Sequence, residues 1–137
     1  MKIDGGCHCG SITYTAEIDP EKVRICHCTD CQSITGTAYR VVVPAPSAAF
    51  ELRGGKIKEY IKTAESGAQR AQGFCPECGT PIYSTNPTDP KIYGLRVGTI
   101  RQRAELRPRL QQWCRSKLEW AQDLRDVPQI AKQVELR

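Results

Sequence analysis

Polar and apolar residues alternate from Ser11 to Ile18 (SITYTAEI), so Ile12, Tyr14, Ala16 and Ile18 share one face of a half-buried strand. Shorter runs of the same kind follow. Val23–His27 (VRICH) is a strand candidate, and Thr37–Val43 (TAYRVVV) is rich in β-branched and aromatic residues and stops at Pro44. Phe50–Arg53 and Lys56–Lys62 flank Gly54-Gly55, a pair that tolerates positive φ and predicts a hairpin turn. Pro81–Thr85, Ile92–Val97 and Leu106–Cys114 complete the strand set, and Leu118–Arg125 has room for a helical turn or two. Short strands punctuated by Gly and Pro predict an all-β domain, either a sandwich or an open, barrel-like pair of sheets. No internal repeat, low-complexity tract or linker divides the chain, so residues 1–137 read as one domain.

Composition adds a constraint. With 39% apolar and 26% charged residues the chain reads as a soluble globular protein, neither disordered nor membrane-embedded. No apolar run approaches the ~18 residues that a spanning helix needs. The start MKIDGGCHCG has a lysine but no apolar h-region, so the expected compartment is the cytoplasm, where thiols stay reduced. Eight cysteines then need an explanation. Inert thiols that act as small hydrophobes would be scattered, but seven of the eight fall in three tight clusters. A disulfide framework suits a small secreted chain and fits poorly here. Metal binding remains as the reading, with zinc favoured over an iron–sulfur cluster.

The clusters are Cys7-His8-Cys9, Cys26-His27-Cys28-Thr29-Asp30-Cys31, and Cys75-Pro76-Glu77-Cys78. Tetrahedral zinc with thiolate ligands needs sulfurs about 3.8 Å apart. A Cys-x-x-Cys turn delivers that spacing, and so does Cys-x-Cys in extended chain, where residues i and i+2 project to one side. Cys75–Gly79 has the form of a zinc knuckle, with Pro76 presetting the turn and Gly79 letting the backbone reverse. A closed structural site wants four ligands, and the economical pairing is Cys7, Cys9, Cys75 and Cys78. The middle cluster offers three, Cys26, Cys28 and Cys31, which is the pattern of a catalytic zinc with one open position. Cys114 is the competing fourth ligand; otherwise it is expected as a buried strand thiol beside Trp113. His8 and His27 occupy the x of Cys-x-Cys and are expected to point away from the metal, with a proton-transfer role for His27 as the alternative. The formal charge of +5 falls to about +2 once two thiolate–zinc sites are counted, so no nucleic-acid partner is expected.

In these motifs the sequence resembles the glutathione-dependent formaldehyde-activating enzyme family, also called the centromere-protein-V-like domain. The resemblance is carried by GGCHCGSITY, CHCTDCQSITGTAY, FCPECGTPIYS (Phe74–Ser84), LRVGTI (Leu95–Ile100) and WCRSKLEW (Trp113–Trp120). It implies an Mss4-like open β-sandwich with two zinc sites: a structural one at Cys7, Cys9, Cys75 and Cys78, and a labile, active one at Cys26, Cys28 and Cys31. It also implies a carbon–sulfur lyase acting on S-hydroxymethylglutathione, the adduct of glutathione and formaldehyde. On that reading the loop Gln32–Thr37 offers amides and hydroxyls to a peptide-like substrate, with a plain turn into the next strand as the equal alternative. Arginines between Arg101 and Lys117 would meet its carboxylates, although a solvated strand face is the expectation for most of them. The rival readings are a zinc-stabilised binding module presenting Trp113 and Trp120, and a metal or redox sensor.

Overall fold

The computed structural model describes residues 1–135. Two sheets are laid over one core. Strands β1 (Lys2–Gly6), β2 (Ile12–Glu17) and β5 (Phe50–Gly54) form an antiparallel three-stranded sheet in the order β1-β2-β5. The larger sheet has seven strands: β3 (Arg24–Cys26), β4 (Arg40–Pro46), β6 (Lys58–Thr63), β7 (Gln69–Phe74), β8 (Pro81–Thr85), β9 (Ile92–Arg96) and β10 (Leu110–Gln112). Their order is β10-β3-β4-β9-β8-β7-β6, antiparallel except that β10 runs parallel to β3. Neither sheet closes on itself, which is the Mss4-like open arrangement expected. One helix, α1 (Thr29–Thr35), follows β3 and packs on β4.

The core lies between the sheets. As the alternation in the sequence requires, Ile12, Tyr14, Ala16 and Ile18 are all buried, and they meet Val43 and Ala45 of β4, Leu95 of β9 and Tyr83 of β8. A cluster of rings, with Phe50, Tyr83 and Tyr93 set mostly edge to face at 4.7–6.0 Å, fills the side near β5. The seven-stranded sheet therefore keeps a second face free for something other than the core.

Several expectations are corrected. Gly54-Gly55 is not a hairpin turn: β5 and β6 belong to different sheets, and the glycines carry the chain across. Glycine is needed there because Gly54 has φ of +96° and a Cβ on it would lie 2.1 Å from the Ser11 carbonyl oxygen, to which Gly55 N–H donates. Strand β4 does not stop at Pro44 but runs to Pro46, since β3 pairs only as far as Val42 and beyond it β4 has no partner on that side. The Gln32–Thr37 stretch is not a loop: Thr29–Thr35 is helical and ends at Gly36 in the left-handed conformation. The segment Leu106–Cys114 yields only the three-residue β10, whereas Leu118–Arg125 does hold a helical turn, a 3₁₀ one at Glu119–Gln122.

The Gly54→Ala variant is expected to lose about 1–3 kcal/mol of stability, from strain at positive φ and the clash with Ser11. Urea unfolding of the metal-replete protein checks this; a lowered midpoint with unchanged slope is the expected result.

Candidate metal centres

The first and third cysteine clusters are hairpin tips. Cys7–Ser11 joins β1 to β2, and Cys75–Thr80 joins β7 to β8, one tip from each sheet. Each tip is held by its own backbone bonds: Cys7 N–H to Ile12 O (3.0 Å) and Gly10 N–H to Cys7 O (3.1 Å), then Cys75 N–H to Thr80 O (3.0 Å) and Gly79 N–H to Cys75 O (2.8 Å). The two tips also bond to each other, through His8 N–H to Thr80 Oγ1 at 3.1 Å. Gly10 and Gly79 both have positive φ, which is why glycine follows each cysteine pair.

This brings the sulfurs of Cys7, Cys9, Cys75 and Cys78 within 4.8 Å of one another. Cys7 and Cys9 are 3.6 Å apart and Cys9 and Cys75 3.8 Å, close to the edge of a tetrahedron of Zn–S bonds. The surroundings favour thiolates. Thr80 Oγ1, 3.1 Å away, together with the amides of Cys9 and Thr80, lowers the Cys78 pKa to about 5. Burial opposes charge on Cys7, but the Ile12 amide at 3.3 Å and the Ser11 hydroxyl outweigh it, and its pKa is lowered. The Ser11 hydroxyl lies within 3.2–3.7 Å of three of the sulfurs. Four sulfurs, converging from both sheets with amide and hydroxyl donors around them, fit a closed divalent-metal site.

The middle cluster is built differently. Cys26 ends β3, Cys28 caps α1 with its sulfur accepting from Cys31 N–H at 3.2 Å, and Cys31 lies in the first turn of α1. These three sulfurs also lie within 4.8 Å of one another. The Cys31 thiol donates to Cys26 and, against the opposing effect of burial, lowers the Cys26 pKa to about 5; the same contact and burial push Cys31 up. The protons that remain are those a divalent metal would displace.

The backbone between Cys26 and Cys28 is pinned from two directions. Gln32 Nε2 (2.9 Å) and Ser116 Oγ (2.8 Å) both donate to the His27 carbonyl, and His27 N–H donates to Gln112 O (3.0 Å). The His27 side chain is fully buried, with Nε2–H donating to Gln111 Oε1 at 2.8 Å and the ring edge-on to Tyr39. It belongs to neither ligand group, as expected, whereas His8 is exposed. Cys114 lies outside both cysteine groups and is not a buried strand thiol. It is exposed in a 3₁₀ turn, thrown outward because Trp113 before it takes the left-handed conformation (φ 59°). Trp113 and Trp120 are likewise exposed rather than packed in the core.

A cleft of about 450 Å³ opens at Cys28, lined also by Thr29, Asp30, Lys62, Trp113 and Arg115. Its charges come in opposed pairs: Lys62 with Asp30 at 2.9 Å, and Arg115 with both carboxylate oxygens of Glu65 at 2.8 Å. Of the arginines between Arg101 and Lys117, only Arg115 reaches the cleft; Arg101 pairs with Asp4 and Arg109 with Glu21. Sequence reasoning missed Lys62, Asp30 and Glu65, because no motif marks residues that a fold assembles from separate strands and turns.

The fold and the two thiol clusters define a β-rich protein with two cysteine groups, one of four and one of three, that could hold metal ions. A family model described as glutathione-dependent formaldehyde-activating enzyme matches residues 2–116, and the chain belongs to that family. Among solved structures it is similar to the crystal structure of a Rhodobacter sphaeroides protein, with 18% identity and a TM-score of 0.60 over 79% of this chain and 98% of that one. That likeness concerns the fold. No curated protein matches the sequence.

Elemental analysis of the purified protein is expected to return two metal ions per chain. Cys28→Ser should remain folded with one ion, whereas Cys75→Ser, which breaks the link between the sheets, should lose the cooperative unfolding transition. Two ions in Cys28→Ser would contradict this division of roles.

Proposed function

We propose that the chain is a zinc-dependent carbon–sulfur lyase that forms and cleaves the adduct of formaldehyde with the glutathione thiol at Cys26, Cys28 and Cys31. The observation that carries this reading is a three-cysteine group that meets a cleft at Cys28, with Cys114 exposed and outside the group. Cys7, Cys9, Cys75 and Cys78 would hold the second, structural zinc. Bound at the open centre, zinc supplies a Lewis acid that stabilises a coordinated thiolate at neutral pH, where a free thiol is mostly protonated.

The chain's own residues do the rest. Cys28 lines the cleft, so a fourth ligand would reach the centre from there. The cleft volume suits a small peptide, and its opposed charges suit a zwitterion: Lys62 and Arg115 face carboxylates, Asp30 and Glu65 face an ammonium group. The Trp113 ring, with the Arg115 guanidinium 4.9 Å over it, gives one wall an apolar surface. The sulfur lone pair attacks the formaldehyde carbon, a C–S bond replaces the C=O π bond, and the proton lost by the thiol goes to the oxygen. Holding both partners in one cleft removes most of the entropic barrier to that step.

Cobalt substitution tests the proposal. Glutathione added to the dicobalt protein should intensify the thiolate-to-cobalt charge-transfer band, and the zinc protein should consume formaldehyde faster than glutathione in buffer. An unchanged spectrum together with no acceleration would leave a zinc-stabilised binding module and remove the lyase assignment.

A further inference from the structure

The face of the seven-stranded sheet turned away from the core is basic, and its two central charges are buried. Directly paired residues on adjacent strands project to the same face. Cys26 pairs with Arg40, Arg96 with Val42, and Gln72 with Ser84, which pairs in turn with Gly94. With the alternation along each strand, this puts Arg24, Cys26, Arg40, Val42, Arg96, Gln72 and Arg70 on one face. Arg40 and Arg96 are 6% and 7% exposed.

A buried guanidinium is costly unless an anion accompanies it. Among the described residues neither of these two makes an ion pair. Both donate to the same neutral acceptor, Gln72 Oε1, at 3.1 Å from Arg40 and 2.6 Å from Arg96. Arg40 Nε, Arg40 Nη2 and Arg96 Nε are buried with no partner at all. The acids on neighbouring elements are engaged elsewhere: Asp30 of α1 by Lys62, and Glu59 of β6 by the Tyr83 hydroxyl on the opposite face. The anions on this face are the thiolates of the middle cluster, with Cys26 directly across from Arg40.

From this arrangement we infer that Arg40 and Arg96 are the counter-charges of the Cys26/Cys28/Cys31 centre and make its open position selective for an anionic ligand, a thiolate, over a neutral one. Three thiolates around a divalent zinc carry about −1, and the two guanidiniums bring the buried group to about +1. A thiolate in the fourth position makes it neutral; water or imidazole leaves the excess charge buried. Arg40 and Arg96 thus act as positioning residues through the metal centre; Arg24 and Arg70, at the margins of the same face, are only half-buried and their charges are screened by water. The inference rests on the reading of the middle cluster as a metal centre.

The test uses the protein with both centres loaded with cobalt. Affinity is measured spectroscopically for two probes, 2-mercaptoethanol as an uncharged thiol that binds as thiolate and imidazole as a neutral ligand. In Arg40→Gln and Arg96→Gln, thiolate affinity should fall at least about tenfold while imidazole affinity stays within about twofold, as expected for charges acting through a protein interior. Arg96→Lys should recover most of the loss. Val42→Glu, which places a carboxylate between the two arginines without removing either, should reproduce the loss and guards against folding failure of the glutamine variants. If cobalt enters the middle cluster but thiolate and imidazole affinities fall together, or Val42→Glu leaves thiolate affinity unchanged, the inference is overturned. If cobalt does not enter that cluster in the wild-type protein, the reading of the metal centre falls and the inference with it.

Discussion

The meeting of two hairpin tips, one from each sheet, is the constraint on which the rest of the structure depends. Cys7 and Cys9 close the β1–β2 hairpin, Cys75 and Cys78 close the β7–β8 hairpin, and their sulfurs stand at ligand spacing. A metal there would link the layers on either side of the core through one hairpin tip of each. Free energy of binding at such a site is free energy of folding, because the unfolded chain has no equivalent cluster. Cys75 is fully buried and Cys7 nearly so, and both belong to the same apolar cluster as Ile12 and Tyr14, so the site is continuous with the core.

With the layers fixed, the outer face of the larger sheet is free to carry chemistry. The middle cluster begins at the end of β3 and is finished by the first turn of α1, and the C-terminal turn at Ser116 and Gln32 of α1 both grip the intervening His27 carbonyl. Three sulfurs are thereby held on one frame, with Cys28 lining a cleft. Behind them lie Arg40 and Arg96, buried without acidic partners. Burial and the nearby Arg40 lower the Arg96 pKa to about 9, still above neutrality, while Cys31 and Cys26 work in the opposite direction. One cysteine group thus has four sulfurs and joins the two sheets, while the other has three and lies on a face with two buried guanidiniums.

Much of this was legible in the sequence because its signals are local. Alternation located β2 and its buried face, and cysteine spacing marked the two groups of thiols that the fold brings together. Strands β1 and β7 left no trace. KIDGG is glycine-rich because Gly5 would clash with Thr99 O and the Tyr14 ring if it carried a Cβ. QRAQGF is polar because Arg70 and Gln72 serve the basic face, and Gly73 makes room for the Tyr83 ring. The pairing of β5 with β2 rather than β6, and the cleft charges drawn from α1, β6 and two separate turns, depend on long-range packing that no short window contains.

The asymmetry of the two centres is tested most directly by anomalous diffraction at the zinc edge from crystals of the zinc-loaded protein soaked in glutathione. Two peaks are predicted. One should be surrounded by Cys7, Cys9, Cys75 and Cys78, and the other by Cys26, Cys28, Cys31 and the glutathione sulfur. A single peak, or a second zinc whose fourth ligand is a side chain of the protein, would contradict it.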